Sequence, residues 1–110
     1  MNRIIDTGDK ILCGDNHPQL KIGNKIYLVD DRKSTFDKIQ EVQQDTELND
    51  DAKTEKVLAL ALGEAEAKEL LDDPTMTVSG YANLSIYVMA AITGESFEDF
   101  KKAVKEQSKN

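Results

Sequence analysis

Pro18-Gln19-Leu20-Lys21-Ile22-Gly23-Asn24-Lys25-Ile26-Tyr27-Leu28-Val29 is the stretch on which the fold class turns. Two short apolar-rich runs flank a Gly-Asn pair, a strand–turn–strand signature. Its register depends on the loop. A two-residue Gly-Asn turn pairs Ile22 with Lys25 and Leu20 with Tyr27, dividing the aliphatics between the two faces. A three-residue loop pairs Ile22 with Ile26 and Leu20 with Leu28, gathering four aliphatics on one face. The dipeptide alone favours the shorter turn. Burying one complete face is the larger effect, so the longer loop is expected. Upstream, Ile11-Leu12-Cys13, flanked by Asp9-Lys10 and Gly14-Asp15-Asn16, is a candidate third strand.

Beyond the hairpin the period changes from two to about three and a half. Phe36, Ile39 and Val42 form a narrow stripe, with Ser34 as the expected N-cap, Asp37 as a capping-box-like carboxylate and an end near Thr46. Asn49 or Asp50 can cap a second helix through Val57-Leu58-Ala59-Leu60-Ala61-Leu62. Gly63 either ends that helix or is absorbed at about 1 kcal/mol relative to alanine. Glu64 to Leu71 continues helically until Asp72-Asp73-Pro74. Thr77 or Ser79 opens the next helix and Gly94 closes it. Ser96 caps the last, whose stripe is Phe97, Phe100 and Val104. The expected class is therefore α+β, mainly helical: an N-terminal β-hairpin or small antiparallel sheet, then a bundle of four to five helices.

The chain has 110 residues, 39% apolar and 32% charged, with two prolines. That suits one domain over 1–110 with a core of its own. Three parts are distinguishable by charge: a hairpin region over 1–30, acidic helices over 31–73, and a charge-balanced part over 74–110. Residues 30–73 hold fourteen acids and six bases. With a formal charge of -7 the chain is a poor candidate for nucleic-acid binding, which needs clustered cations. The single cysteine, Cys13, excludes an internal disulfide and fits a reducing compartment. No secretory signal or run of 18 apolar residues is present, so neither export nor a membrane span is expected.

Catalytic and metal-binding patterns are weak. Cys13, Asp15 and His17 alternate along a possible extended segment, but zinc generally takes three or four ligands and this chain has one His and one Cys. A Cys13/His17 nucleophilic pair lacks an orienting third group. Residues 44–51 resemble a calcium loop only superficially, without its central glycine or terminal Glu. The six glycines are too scattered for a phosphate loop. No catalytic, cofactor or metal site is expected, and no enzymatic activity.

The informative segment is Pro74–Gly94, twenty-one residues without a formal charge. Within it Tyr81–Ile92 has ten apolar residues in twelve. As a helix it is apolar all round, so it is either wrapped by its own domain or covered on one side by another molecule. Tyr81, Leu84, Val88 and Ala91 share one face with Tyr87 beside them; these five are the expected protein-interaction residues. Met76 and Met89 would add adaptable contact surface.

Leu20-Lys-Ile-Gly-Asn-Lys-Ile-Tyr27, followed by Val29-Asp-Asp-Arg-Lys-Ser-Thr-Phe-Asp-Lys-Ile39, resembles the small tail assembly chaperones of long-tailed bacteriophages and prophages of Gram-positive bacteria. Leu62-Gly-Glu-Ala-Glu-Ala-Lys-Glu-Leu70 and Tyr81 to Ser96 are similar to the helical portion of that family. The resemblance covers roughly residues 19–105, and its motifs are structural, not chemical. It implies a non-enzymatic factor of the host bacterial cytoplasm that keeps the helical tape measure protein soluble while tail tube protein polymerises around it. It also implies self-association into a homo-oligomer, and no catalytic residue to transfer. The alternative is an acidic protein-interaction module or DNA-mimic inhibitor, motivated by residues 30–73, although the six interleaved cations dilute that field.

Overall fold

The computed structural model describes residues 3–5 and 17–108. Among them are two strands, β1 (Gln19–Ile22) and β2 (Lys25–Leu28), and five helices. The helices are α1 (Lys33–Gln44), α2 (Asp50–Leu62), α3 (Glu64–Leu71), α4 (Val78–Thr93) and α5 (Phe97–Ser108). The architecture is α+β and mainly helical, an antiparallel two-stranded sheet followed by helices. The proposed strand at Ile11–Cys13 lies outside the described residues.

The hairpin takes the shorter turn, against expectation. Ile22 pairs with Lys25 and Leu20 with Tyr27. Gly23 has φ +62°, and no described non-glycine residue has positive φ, which is the type II′ pattern with glycine first. The inward face is Leu20 and Ile22 with Tyr27 and Val29, the last two buried. Ile26 and Leu28 point outward, 62% and 58% exposed. The longer loop would have buried Ile26 and Leu28 at the expense of an aromatic ring, which offers more area than either. Val29 lies on the parity of Tyr27, and counting it with the strand reverses the balance. Its N–H donates to the Pro18 carbonyl at 2.9 Å, and the Asp30 N–H donates to the Ala61 carbonyl at 2.8 Å, fastening the strand end to the last turn of α2.

Helix α1 begins at Lys33, so Ser34 lies in its first turn and is not the cap; Arg32 occupies that position without a side-chain cap. Asp30 organises this start instead, through bonds to Arg32 and Thr35 described below. Asp37 pairs with Lys33 at 3.0 Å. The other helix starts follow the sequence. Asn49 Oδ1 accepts the Ala52 N–H at 2.8 Å, Thr77 Oγ1 the Gly80 N–H at 2.8 Å and Ser96 Oγ the Asp99 N–H at 3.1 Å. Gly63 ends α2 and starts α3 at φ +101°, ψ +147°, a conformation close to glycine-only territory, so the chain breaks there. Gly94 closes α4.

Helix α2 is the hub, packing on α1, α3 and α4; α4 also meets β1 and α5. Ile39, Leu58, Val29 and Val88 are fully enclosed. The core thus joins α1, α2, the end of the hairpin and α4. No described helix is long and apolar enough to cross a membrane.

Candidate interaction surface

Four of the five expected interaction residues lie on the side of α4 turned into its own fold. Leu84 is 4% exposed and Val88 is fully buried, both within the core. Ala91 is half-buried against the same cluster. The hydroxyl of half-buried Tyr81 donates to Asp51 Oδ1 at 3.1 Å, tying α4 to the first turn of α2. Partial desolvation, reinforced by the Asp51 carboxylate, pushes the Tyr81 phenol above its ordinary pKa. The shared face of Tyr81, Leu84, Val88 and Ala91 is therefore internal packing in the folded chain.

Tyr87 is the exception, 45% exposed. It borders an apolar groove of about 300 Å3 between β1 and α4, lined by Leu20, Ile22, Leu70, Met76, Gly80 and Leu84, with Lys21 at its rim. On the hairpin side Leu20 and Ile22 face inward, as they would in either register; the shorter turn sets Tyr27 and Val29 beside them in place of Ile26 and Leu28. Gly80 gives room to its neighbours, since a Cβ there would meet the capping Thr77 Oγ1 at 2.9 Å and Met76 Sδ at 3.6 Å. On its other side the Tyr87 ring stacks on Phe97 of α5, centroids 3.9 Å apart and planes 13° from parallel. Val78, in the first turn of α4, is 89% exposed. On α4 the open apolar surface thus comprises Val78, Tyr87 and the groove beside Tyr87. Helical spacing singles out Tyr87 and Leu84, residue type singles out Met76, and the alternation of the first strand puts Leu20 and Ile22 on one apolar face; that these meet in a groove requires the packing of β1 on α4.

The opposite end of the hairpin is polar. A cleft of about 270 Å3 is bordered by His17, Asp30, Arg32 and Gly63, with Leu28, Val29 and the end of α2. His17 Nδ1 lies 3.2 Å from Asp31 Oδ1. Asp30 accepts from the Arg32 guanidinium at 2.8 and 2.9 Å, from the Arg32 N–H at 3.1 Å and from the Thr35 hydroxyl at 2.7 Å. The guanidinium bond is the largest influence, and together these bonds hold the Asp30 carboxyl well below the usual range despite partial burial. With both Asp30 carboxylate oxygens engaged locally, this cleft reads as a structural fastening. Cys13 and Asp15, the proposed companions of His17, lie outside the described residues. Among the described residues no group of three or more His, Cys, Asp or Glu side chains is placed to hold a metal ion.

The acidic middle segment is interrupted by cations: Asp30 pairs with Arg32, Asp37 with Lys33, and Glu69 with Lys25 of the hairpin. No protein-family model, curated protein or solved structure matches this chain.

Proposed function

We propose that this chain is a non-enzymatic tail assembly chaperone that covers apolar segments of the tape measure protein while tail tube protein assembles, and that it self-associates. The observation that carries the interaction reading is the apolar groove walled by Leu20, Ile22, Met76 and Tyr87 on an acidic body. The family resemblance stated above supplies the identity of the client. A groove of this size admits a pair of large side chains from one face of an amphipathic helix, the mode in which helices dock by spaced anchors. Surrounding negative charge opposes indiscriminate aggregation of the complex.

The test is co-expression with the tape measure protein encoded next to this reading frame, followed by pull-down. Capture that is lost in Met76→Asp and in Tyr87→Asp, with helical content intact, supports the reading; no capture by the native chain overturns it. A slippery heptamer near the end of the reading frame, leading into a longer product, would add independent support. The DNA-mimic alternative is less well supported, because the carboxylates of 30–73 are partly neutralised by the pairs just described.

A further inference from the structure

We infer that α5 is a displaceable strap, occupying on α4 the seat that the helical client takes; this rests on the chaperone reading for its client but not for its motion. Four observations carry it. Among the described residues, α4 is the one element on which α5 packs substantially, whereas α2 is held by three helices. Its link, Gly94-Glu95-Ser96, is exposed, and nothing lies within 4 Å of a Cβ built at Gly94. Its described anchors are the Phe97 ring on Tyr87, Lys101 Nζ 5.5 Å from the centre of Phe97, and half-buried Phe100 against the edge of the core. Finally, Tyr87 is shared: one side borders the groove and the ring stacks on α5.

Lifting α5 therefore removes one cover from Tyr87 and joins the groove to the vacated seat as a single strip along α4, a helix without a formal charge. What α5 presents to that seat is an amphipathic helix with two aromatic anchors three residues apart, Phe97 and Phe100. A client helix bearing apolar side chains at the same spacing meets the same surface and gains the groove as well. Local opening of an element whose described side chains make few buried contacts requires much less than global unfolding. Because the strap is tethered, its high effective concentration keeps weak competitors out.

Native-state hydrogen exchange on the full chain, without client, tests this directly. The α5 amides should exchange about a hundredfold or more faster than the slowest amides of Val57–Leu62 in α2, as expected for a sub-global opening. Phe97→Ala should speed α5 exchange about tenfold further, leave α2 exchange unchanged and raise 1-anilinonaphthalene-8-sulfonate fluorescence several-fold; Phe97→Tyr, which keeps the stack, should behave as the native chain. Protection of α5 equal to that of α2, or identical behaviour of the Ala and Tyr variants, overturns the strap. Neither result bears on whether the native chain captures tape measure protein, so the two proposals fail separately.

Discussion

Asp30 is the side chain that joins the two halves of the fold at the level of single atoms. Its backbone N–H reaches the end of α2, while its carboxylate gathers Arg32 and Thr35 at the start of α1. Thr35 is buried, so removing its acceptor strips a buried hydroxyl of that partner and takes the Asp30 carboxylate from the Arg32 guanidinium. Asp30→Ala should cost about 2–3 kcal/mol, read by urea unfolding at pH 7. The pH dependence has a fixed sign. The folded-state pKa is lowered from the usual 3.8, so the native state binds the proton more weakly than the unfolded chain. The stabilisation from this group is complete above the unfolded value and is lost as pH falls through the folded one. Native protein should therefore lose more stability than Asp30→Asn on going from pH 5 to pH 2.5 in paired denaturant titrations at each pH. A second pair of substitutions separates core from surface on α4. Leu84→Asp buries an unpaired charge and should cost about 3–5 kcal/mol, collapsing the fold by circular dichroism. Tyr87→Asp loses a half-exposed ring pair and should cost about 1 kcal/mol, leaving the helices intact.

The helices illustrate which elements a sequence discloses. Ser96 as a cap and Gly94 as a stop are local chemistry and stand where the residues place them, while the choice of Asn49 over Asp50, of Thr77 over Ser79, and of a break over continuation at Gly63 is made by the fold. Helix α1 departs because its start is organised by Asp30, a residue before the helix whose partners become apparent only once the chain turns. The hairpin departs because Val29 continues the parity of Tyr27, and leaving that one residue out of the count reverses which side of β2 is buried. Helix α4 is recognisable as apolar all round, but which side remains open depends on α2, β1 and α5 together. Spacing alone says that Tyr81, Leu84, Val88 and Ala91 share a face, and in the fold that face is turned inward. The Tyr81 link between α4 and α2 offers a direct check of this orientation. Tyr81→Phe keeps the ring and loses the bond to Asp51, so it should cost about 0.5–1.5 kcal/mol. In a double-mutant cycle read by urea unfolding, Asp51→Ala should then cost less in the chain already carrying Tyr81→Phe than in the native one. Equal costs in the two backgrounds would show that the two side chains do not interact.

At the scale of the molecule, a body of net charge -7 carries exposed apolar side chains at Val78, Tyr87, Ile26 and Leu28. Two opposing forces then act between copies: repulsion of acidic surfaces and burial of these side chains. Salt weakens the first, since the screening length falls from about 10 Å at 0.1 M to about 3 Å at 1 M ionic strength, and leaves the second in place. Self-association driven through the apolar surface should consequently strengthen with salt. Sedimentation at about 0.05 M and about 0.5 M sodium chloride should show the weight-average mass rising, and Tyr87→Asp or Val78→Asp should abolish the rise at unchanged helical content. A DNA mimic would behave with the opposite sign, because its attraction to a cationic partner is itself electrostatic and fades as salt is added. Association that weakens between the two salt concentrations would count against an apolar interface and move the acidic segment 30–73 to the centre of the chain's function.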